Sequence, residues 1–306
     1  MSSPFGVITL ICNARSGGGG VAKTLPEVKQ KLRERDLEYE LRYTEYAGHA
    51  TDLAREAVSN GSHFLVAVGG DGTVHEVVNG MIENDRAIDP AAVFGVVAAG
   101  TGSDFIKTFG IPAAPGFATA HLDGPESFAI DIGKITYIQD GRETVRYFPN
   151  IAEVGLGAAV VARANRLPRW LGPTVYFFSF WMCLSKHKQA NVVVDLVDKK
   201  YEGPMDNLVV ANGQFFGGGM KIAPKAAPTD GLFDVQVHHA RKREAVALLP
   251  KTFKGEHVPH PDILEAKRVK VSITSDRPLP IEADGEVLGE TPATFELLPN
   301  AIRLKV

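Results

Sequence analysis

Five short strings in this 306-residue chain gather the residue types that phosphate chemistry uses. The richest runs from Phe64 to Gly80, FLVAVGGDGTVHEVVNG. Its apolar start, Phe64–Val68, predicts a buried strand. The strand breaks at Gly69-Gly70-Asp71-Gly72-Thr73, and Val74, Val77, Val78 and Met81 then recur at helical spacing. Strand, glycine turn and helix together present backbone N–H groups and a positive helix end to an anion. Glycine lets the backbone approach that anion without a Cβ clash. Asp71, in the middle of the turn, would repel a bare phosphate. It makes sense beside a bridging cation, or as a group that handles a proton or a hydroxyl. The combination points to nucleotide-using phosphoryl chemistry.

The other strings are weaker singly. Asn13-Ala14-Arg15-Ser16-Gly17 lies between the first strand and the next helix, where a glycine-rich turn can cradle phosphate. Lys23-Thr24 follow these glycines, but a P-loop needs Gly directly before its Lys, so that motif is excluded. Ala99–Phe105, AGTGSDF, follows another buried strand. Thr101 could bond a nucleotide there, and Asp104 could cap the following helix or touch substrate. Further on, PKAAPTDGLFD (224–234) sets Asp230 in an Asp-Gly turn, and PIEADGEVLG (280–289) sets Asp284 and Glu286 on either side of Gly285. Each is either an ordinary turn or a site: a carboxylate-and-carbonyl seat for a hard cation at the first, two carboxylates aimed at one place at the second. Gly155-Leu156-Gly157 lacks the third glycine of a dinucleotide fingerprint. His238-His239 and His257–His260 lack companions at zinc-ligand spacing.

The elements that must position these strings change character near residue 128. Before it, apolar runs at Gly6–Ile11, Phe64–Val68 and Val93–Ala98 and an alternating strand at Glu38–Tyr43 are interleaved with helical patterns at Leu25–Arg35, His49–Ser59, Val74 onward and Asp104–Phe109. This predicts an α/β domain with a mostly parallel, doubly wound sheet, whose ligands bind beyond the carboxyl ends of the strands. After it, period-2 runs dominate, at Phe128–Ile132, Ile135–Ile138, Thr144–Phe148, Asn191–Val197, Leu208–Ala211, Leu232–His238, Val269–Thr274 and Ala301–Val306. Helical stretches interrupt near Ala158–Leu167 and Arg241–Phe253. The expected division is an α/β domain over 1–128 and a mainly β, sandwich domain over 129–306.

Composition narrows the function. A net charge of −3 argues against a general nucleic-acid binder. Cys12 and Cys183, both in apolar contexts, imply no disulfide framework and fit a reducing cytoplasm. The N-terminus lacks the basic leader of a secretory signal. Val175–Leu184, VYFFSFWMCL, is too short to span a bilayer. It reads either as a buried core helix or as an aromatic surface that meets lipid, with Trp170, Phe177, Phe178 and Trp181 as contacts.

Taken in order, the strings resemble the superfamily of diacylglycerol kinases, sphingosine kinases and their bacterial lipid-kinase relatives, and more distantly NAD kinases and phosphofructokinases. GGDGT with HEVVNG carries the resemblance. NARSG is similar to the family's NPxSG with Ala14 for proline, and GTGSDF to GTGNDF with Ser103 for asparagine. Residues 212–234 resemble NGxxxGGG followed by APxAxxxDGxLD, and DGE recurs at 284–286. The match covers nearly the whole chain, from Asn13 to Glu286. It implies an NAD kinase/diacylglycerol kinase-like nucleotide-binding domain, and an ATP-dependent lipid kinase acting on diacylglycerol or a related lipid in the cleft between domains. By the resemblance, the ATP site comprises Asn13, Ala14, Arg15, Ser16, Gly17, Thr44, Gly69, Gly70, Gly72, Thr73, Val74, His75 and Thr101. Asp230 and the carbonyls of Ala227 and Leu232 would hold a structural Mg2+. A second Mg2+ would accompany ATP and could bridge it to Asp71. Glu286 is the first choice for the base that takes the acceptor's proton, Asp71 the rival, and Asp284 the support. An NAD kinase-like enzyme is the alternative, as is a nucleotide- or lipid-binding regulator with little catalysis. GTGSDF favours the lipid kinases over the first, and retention of Asp71, Asp230, Asp284 and Glu286 speaks against the second. The expected partners are a lipid substrate, a transiently contacted membrane surface and, through a long sheet edge, a second copy of the chain. The expected place is the cytoplasm, peripheral to the membrane.

Overall fold

In the first half, three runs are apolar throughout because both sheet faces are covered. Every residue of β1 (Ile8–Cys12) and β3 (Phe64–Gly69) is buried, as is nearly all of β6 (Val93–Ala98). The computed structural model describes residues 3–14, 20–99, 103–113, 117–167, 174–240 and 242–306. Between the strands lie α1 (Gly20–Glu34), the edge strand β2 (Tyr39–Tyr43), α2 (His49–Ser59) and α3 (Asp71–Met81). After α3 come a small hairpin, β4 (Ile82–Glu83) with β5 (Arg86–Ala87), and, beyond β6, the short α4 (Asp104–Phe109). Helix α1 starts five residues ahead of the expected Leu25 and carries Pro26 within it. It buries Val21, Leu25, Val28 and Leu32 along one stripe against β1, β3 and β6.

The second half contains β7 (Ser127–Gln139), β8 (Arg142–Phe148), β9 (Ile151–Gly155), α5 (Leu156–Ala164), α6 (Thr174–Lys186), β10 (Ala190–Asp195), β11 (Lys200–Met205) and β12 (Asn207–Ala211). Then follow β13 (Phe233–His238), α7 (Lys242–Thr252), β14 (Ile263–Arg268), β15 (Lys270–Ser275), β16 (Pro280–Ala283) and the long β17 (Glu286–Lys305). This half mixes two patterns: β10, β11 and β15 alternate between buried and exposed residues, while β9, β12 and β13 are buried almost throughout.

The chain divides into two compact units, Met1–Ile132 with Leu298–Val306, and Gly133–Leu297. In the first, the sheet runs β17–β6–β3–β1–β2, all parallel. In the second, one antiparallel layer runs β14–β13–β12–β9–β16–β17, and β17 continues into a second layer through β15 to β10 and β11. Val154, Val210, Val235 and Ile281 of one layer meet Val194, Ile273 and Phe295 of the other in a shared core, which makes a β-sandwich. Leu298–Val306 joins the first unit, because Arg303 and Leu304 pair with Val93 and Phe94 of β6.

Helix α6 decides between the two readings of its aromatic run. Only Val175, Ser179 and Leu184 are buried, while Phe177, Phe178, Trp181 and Met182 are 57, 54, 42 and 45% exposed. It is not a buried core helix. Trp170 lies outside the described residues.

Candidate active site

Parallel strands bring their carboxyl ends to one edge, and register decides which loops meet there. Cys12 pairs with Tyr43 and Val68, and Gly69 with Ala98. Asn13-Ala14, Thr44, the Gly69–Thr73 turn and Ala99 therefore emerge side by side. Backbone bonds lace the loop starts: Asn13 N–H to Val68 O at 3.2 Å, Thr44 N–H to Cys12 O at 3.0 Å, Ala99 N–H to Gly69 O at 3.1 Å. Chain direction across the sheet reverses between β1 and β3, with β2 on one side and β6 on the other. That reversal is the switch point where α/β sheets bind ligands. An open groove of about 570 Å³ at this edge is lined by Ala14, Tyr43 and the α1 residues Lys29 and Arg33. Arg15, Ser16, Gly17 and Thr101 lie outside the described residues.

Within the turn, Gly69 is required by close approach, since a Cβ there would sit 2.4 Å from Thr73 Oγ1. Gly70 precedes the first residue of α3 and makes no side-chain cap, so the positive end of α3 faces this edge. The Thr73 and Val74 N–H groups both donate to Gly70 O, at 2.9 and 3.2 Å. The Val74 and His75 side chains are buried, so their part in a ligand site is confined to main chain.

Asp71 is bonded to the start of α4. Its Oδ2 accepts the Asp104 N–H at 3.1 Å and its Oδ1 the Phe105 N–H at 3.0 Å. The carboxylate thus caps α4 from 33 residues upstream and ties the glycine turn to that helix. Asp104, expected as that cap, is instead the first residue of α4 and pairs with the Lys107 ammonium at 2.6 Å. Glu76 acts likewise on α2, accepting the Gly48 and Ala50 N–H groups at 2.9 and 3.0 Å. Sequence reasoning passed over Glu76. The signal was available, because Gly48 opens α2 without a capping side chain of its own.

In the second unit, Ala283 pairs with Glu286 across a two-residue turn. Asp284 (φ +52°) and Gly285 (φ +87°) occupy the left-handed conformations that such a hairpin demands. Asp284 turns inward: its Oδ1 accepts the Asn150 and Ile151 N–H groups at 3.2 and 3.0 Å. The Asn165 Nδ2 donates to Gly285 O at 3.3 Å. Glu286 is left exposed at the end of the turn. The loop after β12 joins the same network, as Asn150 Nδ2 donates to Phe215 O and Asn212 Nδ2 to Pro149 O, both at 2.8 Å.

The expected metal seat does not fit a metal. The Lys267 Nζ lies 2.7 Å from Asp230 Oδ2 and 3.3 Å from Asp234 Oδ2. Asp230 Oδ1 accepts the Leu232 N–H at 3.0 Å, and the Ala227 carbonyl accepts the Thr229 and Asp230 N–H groups. The Lys267 ammonium already serves as the counter-ion of Asp230. Burial works against the charged lysine, yet the bonds and charges of Asp230 and Asp234 raise its pKa overall. Among the described residues, no group of three or more His, Cys, Asp or Glu side chains could hold a metal ion. Chelation is therefore expected to leave the thermal midpoint of the apoprotein unchanged. Lys267→Met should lower it by a few degrees, since a half-exposed pair is worth about 1 kcal/mol or less, and should create a response to added Mg2+. Scanning calorimetry with and without chelator checks this; a wild-type midpoint that falls on chelation would return a metal to Asp230.

The fold and the strand-end turns define a nucleotide-site α/β domain followed by an antiparallel sandwich. The chain belongs to the lipid-kinase family of the YegS C-terminal NAD kinase beta sandwich-like domain, whose model matches residues 150–306, with the diacylglycerol kinase catalytic domain matching residues 7–135. It is similar to a diacylglycerol kinase of Staphylococcus carnosus, 28% identical over 297 residues, covering 96% of this chain and 93% of that one. A diacylglycerol kinase of Bacillus subtilis is 29% identical over 290 residues, covering 94% and 91%. The fold is shared with a Bacillus anthracis crystal structure assigned to the diacylglycerol kinases, at a TM-score of 0.79, 23% identity and coverage of 98% and 94%.

Proposed function

We propose that this protein transfers the γ-phosphate of ATP to a lipid hydroxyl, with diacylglycerol the first acceptor to test. The observation that carries the proposal is the convergence of Asn13, Thr44 and the Gly69–Thr73 turn on one carboxyl edge at the sheet's switch point. The positive end of α3 and the turn's main chain suit the phosphates. Glu286, exposed on a braced hairpin, is the base. As the acceptor oxygen forms its bond to the γ-phosphorus, the bond from that phosphorus to the bridging oxygen of ADP breaks, and the hydroxyl proton passes to Glu286. A magnesium ion bound to ATP would neutralise charge on its phosphates. Asp284 and Asp71 act as anchors: one fixes the hairpin that carries the base, the other fixes the glycine turn to α4. The test is transfer of labelled phosphate to a lipid panel in mixed micelles, with NAD as a parallel acceptor. Labelled lipid supports the reading; labelled NAD alone overturns it.

A lipid acceptor calls for contact with a membrane surface, and α6 supplies a suitable face. Phe177 contacts Phe178 and Trp181, so the exposed rings form one patch. Between Glu153 and Asp195 the chain has no acidic residue but carries Arg163, Arg166, Arg169, Lys186 and Lys188. In a protein of net charge −3 this local excess favours an anionic lipid interface. No described helix is long and apolar enough to cross a membrane. The protein is accordingly read as a cytoplasmic enzyme that docks peripherally. Replacing Phe177 and Trp181 by serine should weaken co-sedimentation with anionic vesicles by about tenfold or more, given ~1.5–3 kcal/mol for burying one large side chain. Equal binding by variant and wild type would remove α6 from the docking surface.

A further inference from the structure

Glu153 of β9 and Glu282 of β16 stand directly opposite each other in the antiparallel register, flanked by Ala152 with Ala283 and Val154 with Ile281. Those four flanking residues belong to the sandwich core, so the alternation of the strands sends both glutamates to the other face. Both are almost wholly buried there, at 1% and 2% exposure. Facing side chains on paired strands begin about 4.5–5.5 Å apart.

The hydrogen-bond donors to the pair are a side-chain amide and a main-chain N–H, neither of them charged. Glu153 Oε1 accepts from Asn207 Nδ2 at 2.7 Å, and Asn207 Oδ1 accepts the Gly157 N–H at 2.9 Å, at the start of α5. The other oxygen, Glu153 Oε2, is buried with no hydrogen-bond partner. Gly157 closes over it, since a Cβ at that position would lie 2.3 Å from Oε2. Glu282 Oε2 accepts the Gly285 N–H at 2.8 Å. The charges that push the Glu282 carboxyl up are those of Glu153, Asp284 and Glu286. Arg163 of α5 is turned toward Met182 Sδ, and Asp206, beside Asn207 on β12, is held by His187 and Gln189.

We propose that Glu153 and Glu282 share one proton as a buried acid–carboxylate pair, and that this pair is a positioning device for the hairpin that carries Glu286. Two dry carboxylates facing each other cannot both stay ionised. With the proton between them, the orphaned Oε2 of Glu153 gains a donor, and Glu282 keeps its bond to the Gly285 N–H. When the proton leaves, two charges repel beneath the turn, and the Gly285 anchor loosens. Both carboxyls are held well up from the ordinary range, chiefly by burial: Glu153 to about 7, and Glu282 well above its usual value, with the Glu153 charge as its next cause.

The sign of the pH effect follows. Unfolded glutamates titrate near about 4.3, so above that value the folded chain holds more protons than the unfolded chain. The pair's stabilisation is complete below the unfolded value and is lost as pH rises through the folded ones. Burial lowers His238 to about 3 and also lowers His257. Their contribution has the opposite sign and levels off above the unfolded histidine value of about 6.5. The diagnostic range is therefore about pH 7 to 9.

The experiment is thermal unfolding of the full chain across that range for wild type, Glu153→Gln and Glu282→Gln. Glutamine removes one charge of the pair, and at 282 it keeps an acceptor for the Gly285 N–H. The wild-type midpoint should fall by several degrees as pH rises, and either variant should flatten that fall. A flat wild-type profile, or variants that keep the wild-type slope, overturns the proposal. Should one variant fail to fold, the wild-type profile and the other variant still decide. A second arm rests on the lipid-kinase reading: the alkaline limb of the pH–rate profile should move to higher pH in Glu153→Gln. If no lipid is phosphorylated, that reading fails while the stability arm stands.

Discussion

Glu286→Gln is expected to lower lipid phosphorylation by about 10²–10⁴-fold, the usual worth of general base catalysis. The loss should fall on kcat, with nucleotide affinity and thermal midpoint near wild type. Glu286 stands apart from the bracing of its hairpin. Its neighbour Asp284 anchors the start of β9 through two backbone N–H groups, and Glu282 holds Gly285, but Glu286 itself is exposed and braces nothing among the described residues. An exposed carboxylate at the end of such a turn suits the proposed role of base. Glu290→Gln, a nearby exposed carboxylate on the same strand, is the control and should retain full activity. A Glu286→Gln enzyme within a few-fold of wild type would take the base away from this residue.

Asp71→Ala should produce the second large loss, by a different route. Removing the carboxylate strips the cap from α4 and releases the Gly69–Thr73 turn from the residues at 104 and 105. Loss of a helix cap costs about 1 kcal/mol in stability. The larger consequence is positional, because a misplacement of about 1 Å at a phosphate-binding turn can cost 10²-fold in rate. Asp71→Asn separates anchor from base. Asparagine keeps one carbonyl acceptor for one of the two N–H groups but cannot take a proton. An anchor predicts that Asn recovers a measurable part of what Ala loses, together with part of the lost thermal midpoint. A base predicts that Asn and Ala are equally inactive while both remain fully stable. Steady-state kinetics beside calorimetry on the two variants distinguishes these outcomes.

Much of the first unit was legible because its signals are local. Phe64–Gly69 is an apolar run that a parallel sheet buries on both faces, and the glycine turn after it is encoded in consecutive residues. The same holds for β1 and β6. In the second unit the runs at β10, β12, β13 and β15 were readable for the same reason. Strands β9 and β16 were not, because each carries a glutamate inside a short apolar stretch, and an acid at a buried position masks the pattern. Strand β11 was hidden by Gly203-Pro204, which an edge strand paired only with β10 tolerates.

By itself the sequence determined the order of strand–turn–helix units, the class of the two domains, and the residue types available at each turn. These depend on periodicity and turn chemistry within a dozen residues. Only the tertiary structure decided what each carboxylate does. Asp71 meets its N–H partners 33 and 34 residues away, Asp284 meets Asn150 and Ile151 from more than 130 residues on, and Lys267 reaches Asp230 across 37. Glu153 and Glu282 face each other only because β9 and β16 pair. A carboxylate becomes a cap or a counter-ion according to the groups that long-range packing sets beside it. Those groups carry no mark in the residues next to it in the chain.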